Sequence, residues 1–173
     1  MFIPDLELSE YHSGAFDAKN WSAPLRAIGW LEHPNPFPTG VAPKELLPKL
    51  AEMLEQIHCA YPHYRFRGGM DCSLCGAAHH PFPGPSYFQE NIFVPGSDVI
   101  YIAPGGIVHY VKTHAYLPPQ EFIEAVLGCK DCRSREYREA LVASNRGEEP
   151  PLRSAQSFNR WVSSFPSRRG SKL

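Results

Sequence analysis

The sequence predicts an α+β fold, a small antiparallel sheet with three or four helices, pinned by a knuckle of cysteines. Three observations carry this expectation. Short apolar or alternating runs at 25–31, 64–67, 87–94 and 99–103 have the length and pattern of strands. Apolar residues recur at helical spacing after Pro43 and again after Pro118-Pro119. Two Cys-x-x-Cys pairs stand far apart in the chain, with 53 residues between them.

Taken in order, residues 1–24 mix aromatic, polar and proline residues and read as irregular. Leu25–Leu31 (LRAIGWL) is a compact apolar run and a candidate buried strand. His33–Gly40 (HPNPFPTG) is a loop, because proline blocks both ladder donation and helix continuation. Leu46, Leu47, Leu50, Met53, Leu54 and Ile57 predict a helix at about 43–59. Pro48 either kinks it or marks its first turn.

Tyr64–Arg67 alternates as a half-buried strand and runs through Gly68-Gly69 into the first cysteine pair. Two strands follow, Tyr87–Val94 and Val99–Ala103, joined by the turn Pro95-Gly96-Ser97-Asp98. Ile107–His114 carries a helical face. Phe122, Ile123, Val126 and Leu127 stripe the next helix, which Gly128 ends. Ser134 is the expected N-cap of a last helix through Tyr137, Leu141 and Val142. The expected division is one domain over 1–147, then a basic tail over 148–173 with a short amphipathic segment.

Bulk properties narrow the class. Hydrophobic residues at 43 % and charged residues at 20 % are ordinary for a globular chain of 173 residues, which is long enough to bury a core. The 18 prolines, about twice the usual share, keep the elements short. From Leu152 onward the chain carries five basic residues and no acid, leaving an acidic body. Such a body argues against nucleic acid, which requires a basic face. No stretch has the run of apolar residues that crosses a bilayer. The opening MFIPDLELSE lacks the basic and apolar regions of a secretory leader. The expected compartment is therefore the reducing cytoplasm, where paired Cys-x-x-Cys motifs are metal ligands before they are disulfides.

Cys72, Cys75, Cys129 and Cys132 are thus expected to hold one structural zinc ion, a zinc knuckle of four thiolates. Each pair sits on a turn anchored to a regular element, and the four sulfurs would close the coordination shell. The alternatives are inert thiols and a thiol redox pair. Cys59, inside a helical pattern, reads as a small core residue. His109 and His114 stand five apart, which is neither the i, i+4 helical pair nor an HExxH motif. A polar site, if the chain has one, would involve Asp71, His109, His114 and Glu121. No nucleophile elbow, phosphate-cradling loop or dinucleotide fingerprint occurs.

Several strings resemble a family of small bacterial proteins of unknown function: AIGWLEHPNPFPTG (27–40), CSLC (72–75), NIFVPGSDVIYIAPGGIVHYVKTHAYLPPQEFIEAVLGC (91–129) and SREYREAL (134–141). The likeness runs from Pro4-Asp5-Leu6 to about Leu141. It implies a bacterial origin and single-domain organisation, and brings no activity. The family pattern tends to place a histidine two residues before the first cysteine, where this chain has Met70. If that histidine is a ligand in the family, Cys132 is its replacement here.

In the tail, Phe158, Trp161, Val162 and Phe165 form an apolar stripe on a short helix beside arginines. A helix that short must dock, on its own body or on a partner protein. The terminal Ser-Lys-Leu would be a peroxisomal address in a eukaryote. The functional expectation is a zinc-stabilised cytoplasmic protein that acts by binding another protein, as an accessory or immunity-type factor. The first alternative is a small hydrolase or transferase using His109 or His114, and the second is a thiol redox protein.

Overall fold

In a computed structural model of the chain, residues 2–9, 20–61, 72–75 and 90–152 are described. Its elements are β1 (Leu25–Ala27), α1 (Leu46–Ala60), β2 (Asn91–Pro95), β3 (Ile100–Pro104), α2 (Ile107–Thr113), α3 (Gln120–Gly128) and α4 (Arg135–Ser144). The expected α+β class, with a small sheet and four helices, is what the described residues form. The expected strand at 64–67 and the apolar tail stripe lie outside them.

The apolar run Ile100-Tyr101-Ile102-Ala103 explains the position of β3: every residue of this strand is buried, so it takes the centre of the sheet. β2 pairs with it antiparallel across the expected turn, Asn91 opposite Pro104 and Pro95 opposite Ile100. Gly96 is required in that turn. A Cβ there would lie 2.7 Å from the Tyr101 ring and 2.9 Å from Val99. On the other edge β1 runs parallel to β3, with Leu25 opposite Ile100 and Ala27 opposite Ile102. The sheet is therefore mixed where an antiparallel one was expected. A long crossover containing α1 separates β1 from β3, and that length of chain permits parallel pairing. Residues 3–8, read as irregular, flank β1: Leu6 N–H donates to Ala27 O at 2.8 Å and Ala27 N–H to Glu7 O at 2.9 Å.

α1 follows its sequence pattern closely. Leu46, Leu50, Met53, Leu54 and Ile57 are buried, and truncating one of them to alanine would cost about 2–5 kcal/mol. Pro48 is the third helical residue, where a backbone N–H has no partner inside the helix, so it opens α1 rather than kinking it. α1 packs on α2, α3 and β2, while α3 and α4 also cover β2. Ser134 caps α4 as expected, its Oγ accepting from Tyr137 N–H at 3.1 Å. Tyr137 O–H in turn donates to Phe93 O at 2.6 Å, fixing α4 on the sheet. Among the described residues no helix is long and apolar enough to cross a membrane.

Candidate metal centre

The turn from Pro104 through Gly105 and Gly106 leads β3 straight into α2. This short helix puts His109 on its buried face and His114 at its C-terminal cap. The chain at 72–75 forms a tight turn, in which Cys75 N–H donates to Cys72 O at 3.2 Å. Ser73 fixes that turn to the proline loop, its Oγ accepting from His33 N–H at 3.1 Å. The two pieces meet.

Cys72, Cys75, His109 and His114 each offer one ligand atom, and all four atoms lie within 4.8 Å of one another. His114 Nε2 stands 3.3 Å from Cys72 Sγ and 3.3 Å from Cys75 Sγ. It is also 3.2 Å from His109 Nε2, which lies 3.2 Å from Cys75 Sγ. A single ring nitrogen offers one proton or one lone pair, so His114 Nε2 cannot make three directed hydrogen bonds at once. Four donors around a common centre are better explained by a cation between them. A tetrahedron with bonds of about 2.3 Å to sulfur and 2.0 Å to nitrogen has edges of about 3.3–3.8 Å, close to the separations found.

The electrostatics agree. Burial, together with the adjacent Cys72 sulfur, pushes the Cys75 thiol up, as expected for two thiolates forced together without a cation. Burial holds His109 below the ordinary imidazole value, with His114 adding to the effect, and burial lowers His114 as well. Both rings are therefore kept in the neutral form that binds metal. Thr113 Oγ1 lies 3.2 Å from His109 Nδ1. With the proton on Nδ1, that contact leaves the Nε2 lone pair aimed at the other ligands. The cluster can hold a metal ion.

This set corrects the four-cysteine expectation. Cys129 and Cys132 are not in the cluster, and among the described residues they join no group of three or more such donors. They sit between α3 and α4 against a different part of α1, where Cys132 N–H donates to Gln56 Oε1 at 2.8 Å. The knuckle at 72–75 faces α2 instead. Of the expected polar residues, His109 and His114 are brought together. Glu121 is outside the group, its Oε1 accepting from Tyr101 O–H at 3.0 Å. Asp71 lies outside the described residues, as do Phe158, Trp161, Val162 and Phe165. Cys59, expected in the core, is exposed.

The histidines had a readable signal. C-x2-C followed by H-x4-H falls within the ligand spacing of zinc sites built from two cysteines and two histidines. Testing the pair only against a helical i, i+4 spacing hides this, because His114 lies just past the end of α2 and swings back beside His109.

No curated protein and no solved structure matches the chain. One family model does match, over residues 1–127, a stretch that contains all four members of the cluster and stops short of Cys129. The chain belongs to that family, described as a domain of unknown function (DUF7919).

Proposed function

We propose that Cys72, Cys75, His109 and His114 hold one zinc ion as a structural cross-link, and that the protein acts by binding a partner rather than by catalysis. The observation that carries this reading is the convergence of two sulfurs and two imidazole nitrogens at tetrahedral separations. Two thiolates and two imidazoles suit zinc. Four protein donors fill its shell and leave no open position for water or substrate, unlike catalytic zinc with three protein ligands. The same ligation occupies the ring nitrogens that a hydrolase or transferase would need for proton transfer.

Elemental analysis of the purified chain tests the metal, with one zinc per chain expected. Replacement by Co2+ should give the intense visible bands of a tetrahedral sulfur–nitrogen site. A metal-free protein whose melting is unchanged by chelator would defeat the proposal. For the binding role, the sequence offers the stripe Phe158, Trp161, Val162 and Phe165. Shortening the chain to residue 152 should then remove its partners in crosslinking. A strict monomer with the same crosslinks at both lengths would remove that half of the reading.

A further inference from the structure

The N-terminal segment and the proline loop border a recess of about 180 Å3 that shares no residue with the metal centre. Both sides of it are fixed. Ile3 N–H donates to Trp30 O at 3.1 Å, which ties the segment to the end of the 25–31 run. Leu117 N–H donates to Pro38 O at 3.0 Å, and the Phe37 ring stands edge-on to Tyr116 with centroids 6.3 Å apart. Buried Leu31 and half-buried Phe2 and Phe37 line the recess, together with the exposed prolines Pro4, Pro36 and Pro38. Among the described residues, Asp5 supplies its only polar side chain.

We propose that this recess binds a primary alkylammonium group, its cationic head on the Asp5 carboxylate and its chain against Leu31, Phe2 and Phe37. Both hydrogen bonds that Asp5 accepts, from Gly29 N–H and the Tyr116 hydroxyl, fall on Oδ1. Among the described residues Oδ2 accepts no hydrogen bond and no cation pairs with Asp5. A carboxylate oxygen carries lone pairs for more than one donor, so Oδ2 remains available to a ligand. The other side chains of the lining are hydrocarbon, and its three prolines have no backbone N–H to offer. Such a wall rejects anions and selects a ligand that brings its own donors and a positive charge. The rings of Phe2 and Phe37 favour the same sign, because an aromatic face attracts a cation. Burial raises the Asp5 carboxyl, the direction expected of a carboxylate that has lost water without gaining a counter-ion.

The volume sets the length of the chain. Pockets for drug-sized ligands occupy about 300–1,000 Å3. The recess is smaller, and at about 30 Å3 for each water-sized group it holds about six heavy atoms. That is room for one ammonium head on an unbranched chain of about four or five carbons. The same chemistry is found in a free alkylamine and in a lysine side chain. Neither the zinc cluster nor the tail contributes to the recess, so this site stands or falls separately from the proposed function.

An NMR titration of the isotope-labelled full chain with n-butylammonium chloride at neutral pH tests this. The Gly29 amide, bonded to Asp5 Oδ1, reports directly on the carboxylate. Saturable shifts are expected at Gly29, Leu31 and Phe37. Uncharged n-butanol should bind at least about tenfold more weakly, the share of a charge-assisted hydrogen bond. Asp5→Asn keeps the Oδ1 acceptor, puts an amide NH2 in place of Oδ2, and should weaken n-butylammonium by a similar factor. A second titration, with lysine blocked at both its α-amino and carboxyl groups, separates the two sources. Saturation by the blocked lysine as well assigns the recess to lysine side chains, and saturation by n-butylammonium alone assigns it to free amines. Shifts that never saturate would overturn the proposal. Equal binding of n-butanol would overturn it too, leaving only an apolar hollow, as would an Asp5→Asn protein that binds n-butylammonium undiminished.

Discussion

Asp5 shows how much a single residue near the N-terminus fixes. Its Oδ1 accepts from Gly29 N–H at 2.8 Å and from the hydroxyl of fully buried Tyr116 at 2.8 Å. Asp5→Ala would leave both donors unmatched and should cost about 3 kcal/mol. Asp5→Asn keeps an oxygen acceptor and should cost about 1 kcal/mol. Chemical denaturation measures both. Burial raises the Asp5 carboxyl above its ordinary value, even though the bonds from Gly29 and Tyr116 lower it. A raised folded-state value means that the native protein holds this proton to higher pH than the unfolded chain does. The Asp5 contribution to stability is therefore greatest below about pH 3.9. It falls as pH rises through the folded-state value, a slope that Asp5→Asn should abolish. None of this was legible in the sequence, because the partners stand 24 and 111 residues away and no local pattern points to them.

At the scale of elements, periodicity was a good guide and pairing was not. The apolar spacing placed α1, α3 and α4 within a few residues of their observed bounds, since each buries one stripe. The run 25–31 was seen as buried, but only Leu25–Ala27 forms strand, and its parallel partner lies 75 positions on. Gly29 breaks the extended backbone within that run. It has φ +68°, and a Cβ would meet Ile107 at 3.2 Å and Tyr116 at 3.3 Å. Gly29→Ala should cost about 2 kcal/mol from left-handed backbone and crowding together. Ile107 is the first residue of α2, so the same change should displace His109 and weaken zinc in a competition titration with a chromogenic chelator. A second tie joins the end of α4 to the segment before β1. Asn145 Oδ1 accepts from Ser22 N–H at 2.8 Å and from Ala23 N–H at 2.9 Å, while its Nδ2 donates to Glu148 O at 3.0 Å. Asn145→Ala should lower stability by about 2–3 kcal/mol, read as a lower denaturation midpoint at unchanged slope.

For the molecule as a whole, the sequence identified both chelating turns but could not sort them. Each Cys-x-x-Cys announces that two sulfurs can face one centre. Which groups complete that centre depends on how α2 and α3 leave the sheet. The structure sends the knuckle at 72–75 to the histidines of α2 and leaves Cys129 and Cys132 beside α1. The two arrangements predict opposite mutational patterns. Cys75→Ser, His109→Ala or His114→Ala should each reduce bound zinc well below one per chain, while Cys129→Ser and Cys132→Ser should leave it at one. A ligand present at about a thousand times its dissociation constant stabilises the folded state by about 4 kcal/mol. In a chain of this size, stripping the metal should thus lower the melting temperature by about 10 °C. The ligand variants should start near that lower value and respond little to chelator. Zinc lost on changing Cys129 or Cys132 but kept on changing the histidines would restore the four-thiolate centre, and would require a packing of α3 against the knuckle different from the one described.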